Sequence, residues 1–283
     1  MRRKQFAANF YAEASTAWIE KALQEFKAPK LEAPPVAGIV PHAGWAYSGA
    51  VAAKVFQTIK CYREPKTFVL FGTVHRDIAD NAIYPRGSWL TPFGEVSIDE
   101  GLAADIVEGA GEYLIADESA HHYEHSIEVQ MPFLKHFFPR AEAVPIAVLP
   151  DERAHELGKS IGELLKKTTS DAVVLGTTDL THYGDAYWFT PSGRGPAARE
   201  WMKRNDARII ELASTLRAQE IVAEAIRNQN ACGAGALAAT AAAAKAMGCS
   251  GGRVIEYTTS YDVMPEGEFR MAVGYVGMVF CGS

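Results

Sequence analysis

The sequence predicts an α/β fold: a single domain in which a central, mostly parallel or mixed β-sheet is flanked by helices. Short β-type apolar runs alternate with amphipathic helical windows, the order from which such sheets and their crossover helices are built. Most of those runs are four to seven residues long between turn residues, which suits strands buried on both faces. The length, 283 residues, is near the upper limit for one hydrophobic core and short for two full domains.

The elements follow in order. Residues 1–35 read as an N-terminal helical segment with a helix over 15–26. It closes at Ala28-Pro29-Lys30-Leu31-Glu32-Ala33-Pro34-Pro35, the best boundary in the chain. Strand 36–40 (VAGIV) leads to helix 50–59, and strand 67–71 (TFVLF) to helix 100–109. Helix 131–138 carries Pro132 in its first turn, where proline is tolerated. Strand 143–149 (AVPIAVL), helix 152–167 and strand 172–175 (AVVL) come next. Helices 197–216, 218–228 and 236–247 precede the closing strands 254–258 and 272–280, which are read as antiparallel. The alanine-rich string 236–246 is strong helix former, not linker. No repeat or low-complexity segment divides the chain.

Composition removes several classes of function. Net charge is −6, which argues against a nucleic-acid or acidic-membrane surface. No apolar run approaches the ~20 residues of a membrane span. Met1-Arg2-Arg3-Lys4 is basic, but no apolar stretch follows to make a signal peptide. Cys61, Cys232, Cys249 and Cys281 form no CxxC, so neither a disulfide framework nor a zinc ribbon is indicated, and a reducing cytoplasm is expected.

Three expected strands run into a histidine-bearing turn. Strand 36–40 enters Pro41-His42-Ala43-Gly44, strand 67–71 enters Gly72-Thr73-Val74-His75, and strand 172–175 enters Thr178-Asp179-Leu180-Thr181-His182-Tyr183. Parallel strands would gather His42, His75, Asp179 and His182 at one rim, where open α/β sheets bind ligands. The fourth element is Asn230-Ala231-Cys232-Gly233-Ala234-Gly235, at the start of the alanine-rich helix. Free amides there would favour an anion and lower the pKa of Cys232. Two imidazoles and a thiolate, with water or substrate in the fourth position, make an open site for Fe(II), Cu or Zn, and ligand softness does not choose among them. Asp179 and His182 suit an orienting carboxylate and a general base, or extra ligands.

Between Ser119 and Glu128 the chain is dense in imidazole and carboxylate. Either it is a solvated loop, or His125 or Glu128 points into the site and meets substrate. Trp45, Tyr47 and Tyr183 either wall a pocket for a planar ligand or pack the rim. His136 and His155 are read as uninvolved. The glycine string 233–238 follows a helix rather than a strand, so no nucleotide cofactor is expected.

In these blocks the chain resembles the Memo family. They are PHAGWAYSG (41–49), GTVH (72–75), EHSIE (124–128), TDLTHYG (178–184) and ACG (231–233), in family order, with Asn9-Phe10-Tyr11 similar to its N-terminal signature. Prokaryotic members are called AmmeMemoRadiSam system protein B, and the fold resembles that of class III extradiol dioxygenases. The resemblance implies a vestibule whose metal set is His42, His75 and Cys232, with His182 at the place of the dioxygenases' catalytic histidine. It implies iron or copper redox chemistry, with radical-SAM and AMMECR1-type proteins as partners. The dioxygenases carry a carboxylate where this chain has Cys232, and the family's usual His-His pair is here His75-Arg76. Three functions stand on this reading: a metal-dependent oxidoreductase, a module binding phosphorylated or carboxylated peptides in the vestibule, and a zinc-type hydrolase.

Overall fold

The structure, a computed structural model, describes residues 2–282. Its principal elements are α1 (Thr16–Leu23), β1 (Pro35–Val40), α2 (Ala50–Tyr62), β2 (Thr67–Gly72), α3 (Glu100–Ala110), α4 (Met131–Phe137) and β3 (Glu142–Ala147). They continue with α5 (Arg153–Lys167), β4 (Ala172–Thr177), α6 (Pro196–Ser214), α7 (Ala218–Asn228), α8 (Ala234–Ala246), β5 (Gly252–Thr259) and β6 (Ala272–Cys281). Every expected strand and helix is present.

β1, β4, β2 and β3 lie side by side and parallel, with Val69 paired to Val144 on one side and Val174 on the other. β6 closes one flank antiparallel to β1, and β5 pairs antiparallel with β6. Ala82–Ile83 runs antiparallel to β3 on the other flank. The sheet is therefore mixed, with a parallel centre.

Strand side chains alternate between two cores, as the two-residue period requires. Val69 and Phe71 face one core with α3, α5, α7 and α8; Phe68 and Leu70 face the other with α2 and α4. The alanine-rich α8 is buried almost all round, because it lies between the sheet and α5. A Cβ on Gly158 of α5 would stand 2.0 Å from the Ala239 carbonyl oxygen, so the two helix backbones meet where only small residues fit.

The N-terminal segment departs from expectation. α1 stops at Leu23, a 3-10 turn covers Ala8–Tyr11, and Arg2–Arg3 is a strand. That strand pairs parallel with Ser88–Thr91, whose hairpin partner is Gly94–Ser97. This small sheet escapes sequence reading because strands of two to four residues hold too few side chains to show a period. β4 runs two residues past its expected end because Thr177 pairs with Val40.

Candidate metal centre

The carboxyl ends of the central parallel strands open onto one rim, and bonds between the exit loops fix their geometry. The Thr178 N–H donates to the Val40 carbonyl at 3.0 Å. Oδ1 of Asp179 accepts the N–H of His42 at 2.8 Å and of Ala43 at 3.3 Å, tying the exit of β4 to that of β1. Burial raises the Asp179 carboxyl to about 7, against the pull of those two amides.

Glu124 does the same work for the exit of β2. Its carboxylate accepts the N–H groups of His75, His125 and Ser126, each at 2.8 Å, and its Oε1 lies 3.0 Å from Nδ1 of His75. Burial opposes ionisation, but the bonds to His75 and the amides hold the carboxyl down at about 2. An ionised Glu124 requires Nδ1 of His75 to carry a proton, so in the neutral ring the lone pair lies on Nε2.

Three imidazoles then meet. His42, His75 and His125 each offer a ligand nitrogen, and these atoms lie within 4.8 Å of one another. The rings of His75 and His125 stack at 4.5 Å, and His42 stands edge-on to both. His42 is 1% exposed, and its Nδ1 has no hydrogen-bond partner. Burial, reinforced by the neighbouring imidazoles, depresses His42 far below the usual histidine range and brings His125 down to about 4. Both are neutral at pH 7 and keep the lone pairs a metal needs.

A second group shares His42. Ligand atoms of His42, Asp179 and Cys232 also lie within 4.8 Å of one another. Sγ of Cys232 is 3.2 Å from Nε2 of His42 and accepts the Asp179 N–H at 3.3 Å. The expected set of His42, His75 and Cys232 is thus spread over two groups that meet at His42.

The expectation of a lowered Cys232 pKa is corrected. Burial, with the neighbouring Asp179 carboxyl, pushes the thiol up and outweighs the helix start. Nor do the glycines beside it form an anion cradle. A Cβ on Gly233 would stand 2.3 Å from the Thr177 carbonyl oxygen and 2.4 Å from Thr73 Oγ1. Gly233 therefore lets the chain press onto the ends of β2 and β4 and seats Cys232 against His42.

Above the cluster lies a cleft of about 400 Å³. His42, His75, Asp179 and His182, the residues expected at a shared rim, line it together with His125 and Tyr47. His182 holds its Nδ1 3.0 Å from the Leu180 carbonyl, which makes Nδ1 the donor and leaves Nε2 free. Burial lowers its pKa, against the pull of that carbonyl.

Two expected substrate-binding residues do not line this cleft. Glu128 is 1% exposed and turned to the N-terminal segment, where it meets Arg3, the Phe6 and Ala7 amides and the Tyr11 hydroxyl. Tyr183 is buried in a satellite core; its hydroxyl donates to the Gly193 carbonyl and accepts the Ser192 N–H. Trp45 packs on Phe133 at 3.8 Å in the core, and the Arg76 side chain stays on the surface beside Tyr123. Phe10, Tyr187, Ser260, Met271, Val273 and Tyr275, which the sequence does not single out as site residues, also line the cleft, with Ala43 and Gly44 beside His42. Of those six, only Phe10 and Tyr187 lie near a block that the sequence singles out.

The donor set fits a metal ion: His42 and His125 neutral with free lone pairs, an orphaned buried nitrogen on His42, a carboxylate orienting His75, and a thiol in contact. Fold and site together define an α/β protein with a candidate metal centre at the strand ends of a mixed sheet. The chain belongs to the Memo family: the family described as "Memo-like protein" matches residues 2–279. A MEMO1 family protein of Thermococcus onnurineus is 33% identical over 291 residues, covering 99% of each chain. One from Aquifex aeolicus is 33% identical over 257 residues, covering 89% of this chain and 88% of its own. The crystal structure of an uncharacterized protein from Escherichia coli K12 matches 84% of this chain and 98% of its own, with TM-score 0.57. At 12% identity that likeness concerns the fold alone. Among the described residues no helix is long and apolar enough to cross a membrane.

Proposed function

We propose that the chain is a metal-dependent redox protein of dioxygenase-like type, holding iron or copper at the floor of the cleft. His42, His75 and Cys232 would be its ligands, with His125 beside them. The observation that carries this reading is the group of three imidazoles at the base of an open cleft, with burial keeping His42 and His125 neutral and Glu124 orienting His75. A bound iron or copper ion would supply redox and Lewis-acid chemistry.

The chain's own residues have separate tasks. Glu124 fixes the His75 tautomer, and Asp179 holds the loop that carries His42. His182, neutral and with Nε2 free, would accept a proton from a substrate in the cleft. Tyr47, Tyr187 and Met271 would pack against the substrate's apolar body. The choice of redox metal and the radical-SAM and AMMECR1-type partners rest on family membership.

One observation weighs against a phosphopeptide- or carboxylate-binding module. Among the described residues the cleft lining holds no lysine or arginine, and burial lowers the pKa of His42, His125 and His182. An anion would find no permanent positive charge there.

The test is elemental analysis of anaerobically purified protein beside His42→Ala, His75→Ala and Cys232→Ala. Near-stoichiometric iron or copper in the parent, lost from folded variants, supports the proposal, and oxygen uptake then tests turnover. Zinc lost in the same way moves the weight to hydrolysis. A parent that stays empty after reconstitution overturns the metal reading.

A further inference from the structure

We propose that the N-terminal arm, residues 3–11, is a positioning clamp for the imidazole cluster, acting through the loop 121–128 that it grips. The loop carries Glu124 and His125 and is bounded by single 3-10 turns, Ser119–His121 and Glu128–Gln130. Bonds from Glu124 and Ser126 tie it to the end of β2, Nε2 of His121 lies 3.0 Å from the Ala82 carbonyl, and the arm adds a further set of buried bonds along its length.

The grip runs in both directions. Nε of Arg3 donates to the His121 carbonyl at 3.0 Å, and Nη2 donates to the carbonyls of His121 at 2.7 Å and Glu124 at 2.9 Å. Nη1 meets Oε2 of Glu128 at 2.7 Å, and the guanidinium lies 4.0 Å from the centre of the Trp89 ring. Glu128 in turn accepts the N–H groups of Phe6 at 2.9 Å and Ala7 at 2.8 Å, and the Tyr11 hydroxyl at 2.6 Å. The Arg3 and Glu128 side chains are 4% and 1% exposed. Between these anchors the arm places Phe10 in the cleft wall, its ring 4.6 Å from that of His125.

The arm therefore holds Glu124 by its own carbonyl and His125 by its ring. A loop fixed at both ends keeps the Glu124 carboxylate on Nδ1 of His75 and so keeps Nε2 free. Loosening it lets the His75 ring sample its other tautomer and spreads the three nitrogens apart. Arg3 and Glu128 are positioning residues on this account, since neither touches the cleft.

The proposal rests on the cluster being the functional centre, but its first readout needs no metal. Long-range proton–nitrogen correlation of ¹⁵N-histidine in metal-free protein reports the His75 tautomer. The parent is expected to show Nδ1–H alone. The double variant Arg3→Met/Glu128→Gln removes both buried charges together, so neither is left unpaired. It is expected to keep its near-ultraviolet circular dichroism yet show mixed His75 tautomers. Its affinity for Co²⁺, used as the probe ion, should fall by about tenfold or more, as loss of ligand orientation does. Arg3→Lys, which keeps the charge but loses the carbonyl fork, should show the same tautomer change in smaller measure, and it decides the matter if the double variant does not fold. A single unchanged tautomer in folded variants overturns the clamp. A parent that ignores Co²⁺ overturns the metal reading instead, and the tautomer comparison still decides the clamp.

Discussion

Nε2 of His42 stands 3.2 Å from Sγ of Cys232, across 190 positions of sequence. The contact makes His42 the member common to two candidate ligand groups, one of imidazoles and one holding a carboxylate and a thiol. Burial keeps the Cys232 thiol protonated in the metal-free protein, so a metal drawing on it must displace that proton.

The first prediction follows from that contact. Co²⁺ added to the parent is expected to give a near-ultraviolet sulfur-to-cobalt charge-transfer band and to release a proton. Cys232→Ala should lose the band, and His42→Ala should lose both the band and tight binding. A parent spectrum with visible cobalt bands but no thiolate band would assign the ion to His42, His75 and His125 instead.

Gly233→Ala should damage the same contact without touching a ligand. The added Cβ, 2.3 Å from the Thr177 carbonyl, forces the 231–234 turn off the ends of β2 and β4. Overpacking of this kind costs about 1–3 kcal/mol. Urea unfolding should register that loss, and Co²⁺ affinity should fall further than in Gly109→Ala on α3, where the added Cβ meets no atom closer than 3.8 Å. Equal affinities in the two variants would show that the turn does not seat Cys232.

Long runs made the fold legible. β2 and β4 are buried at every residue, so their sequences read as unbroken apolar strands. The rim was legible because parallel strands end together, which gathers His42, His75 and Asp179 without any knowledge of strand order. Direction within a loop was not legible. His125 and Glu128 stand three apart in one motif, yet one turns to the cleft and the other to the N-terminal arm. Nothing local distinguishes them; the partner of Glu128 is Arg3, 125 residues away. The Cys232 pKa was misjudged for a similar reason, since a helix start is visible in sequence and the depth of burial is not.

Asp206, which braces the turn between Asp179 and His182, gives a pH dependence of stability. It lies on α6, fully buried, accepting the Thr181 N–H at 2.9 Å and the Tyr257 hydroxyl at 2.7 Å. Burial raises its carboxyl to about 6, against those bonds. The unfolded chain ionises near the ordinary aspartate value of about 4. Its contribution is therefore fully present below pH ~4 and is lost as pH rises through about 6, a change of roughly 3 kcal/mol. Asp206→Asn keeps an acceptor for Thr181 and should remove that slope. Urea unfolding of both proteins at pH 4.5 and pH 7 captures about two thirds of it, roughly 2 kcal/mol, and parallel pH profiles would refute the assignment.

The cleft should discriminate by charge. Tyr47 and Met271, 44% and 53% exposed, stand with Tyr187 in a wall that offers ring faces and a thioether but no lysine or arginine among the described residues. Phenyl phosphate and phenol differ by a dianion, and bringing that charge beside neutral imidazoles and the buried Asp179 costs solvation that no guanidinium or ammonium returns. Metal-free protein is therefore expected to bind phenol at least as tightly as phenyl phosphate, by calorimetric titration at pH 7.5. Tyr187→Ala should weaken phenol binding several-fold, in line with loss of one aromatic contact of about 1 kcal/mol. Tighter binding of the phosphate by tenfold would reverse the argument. It would require His42, His125 or His182 to take up a proton with the ligand, which the same titration reports as a dependence of the measured heat on the ionisation enthalpy of the buffer.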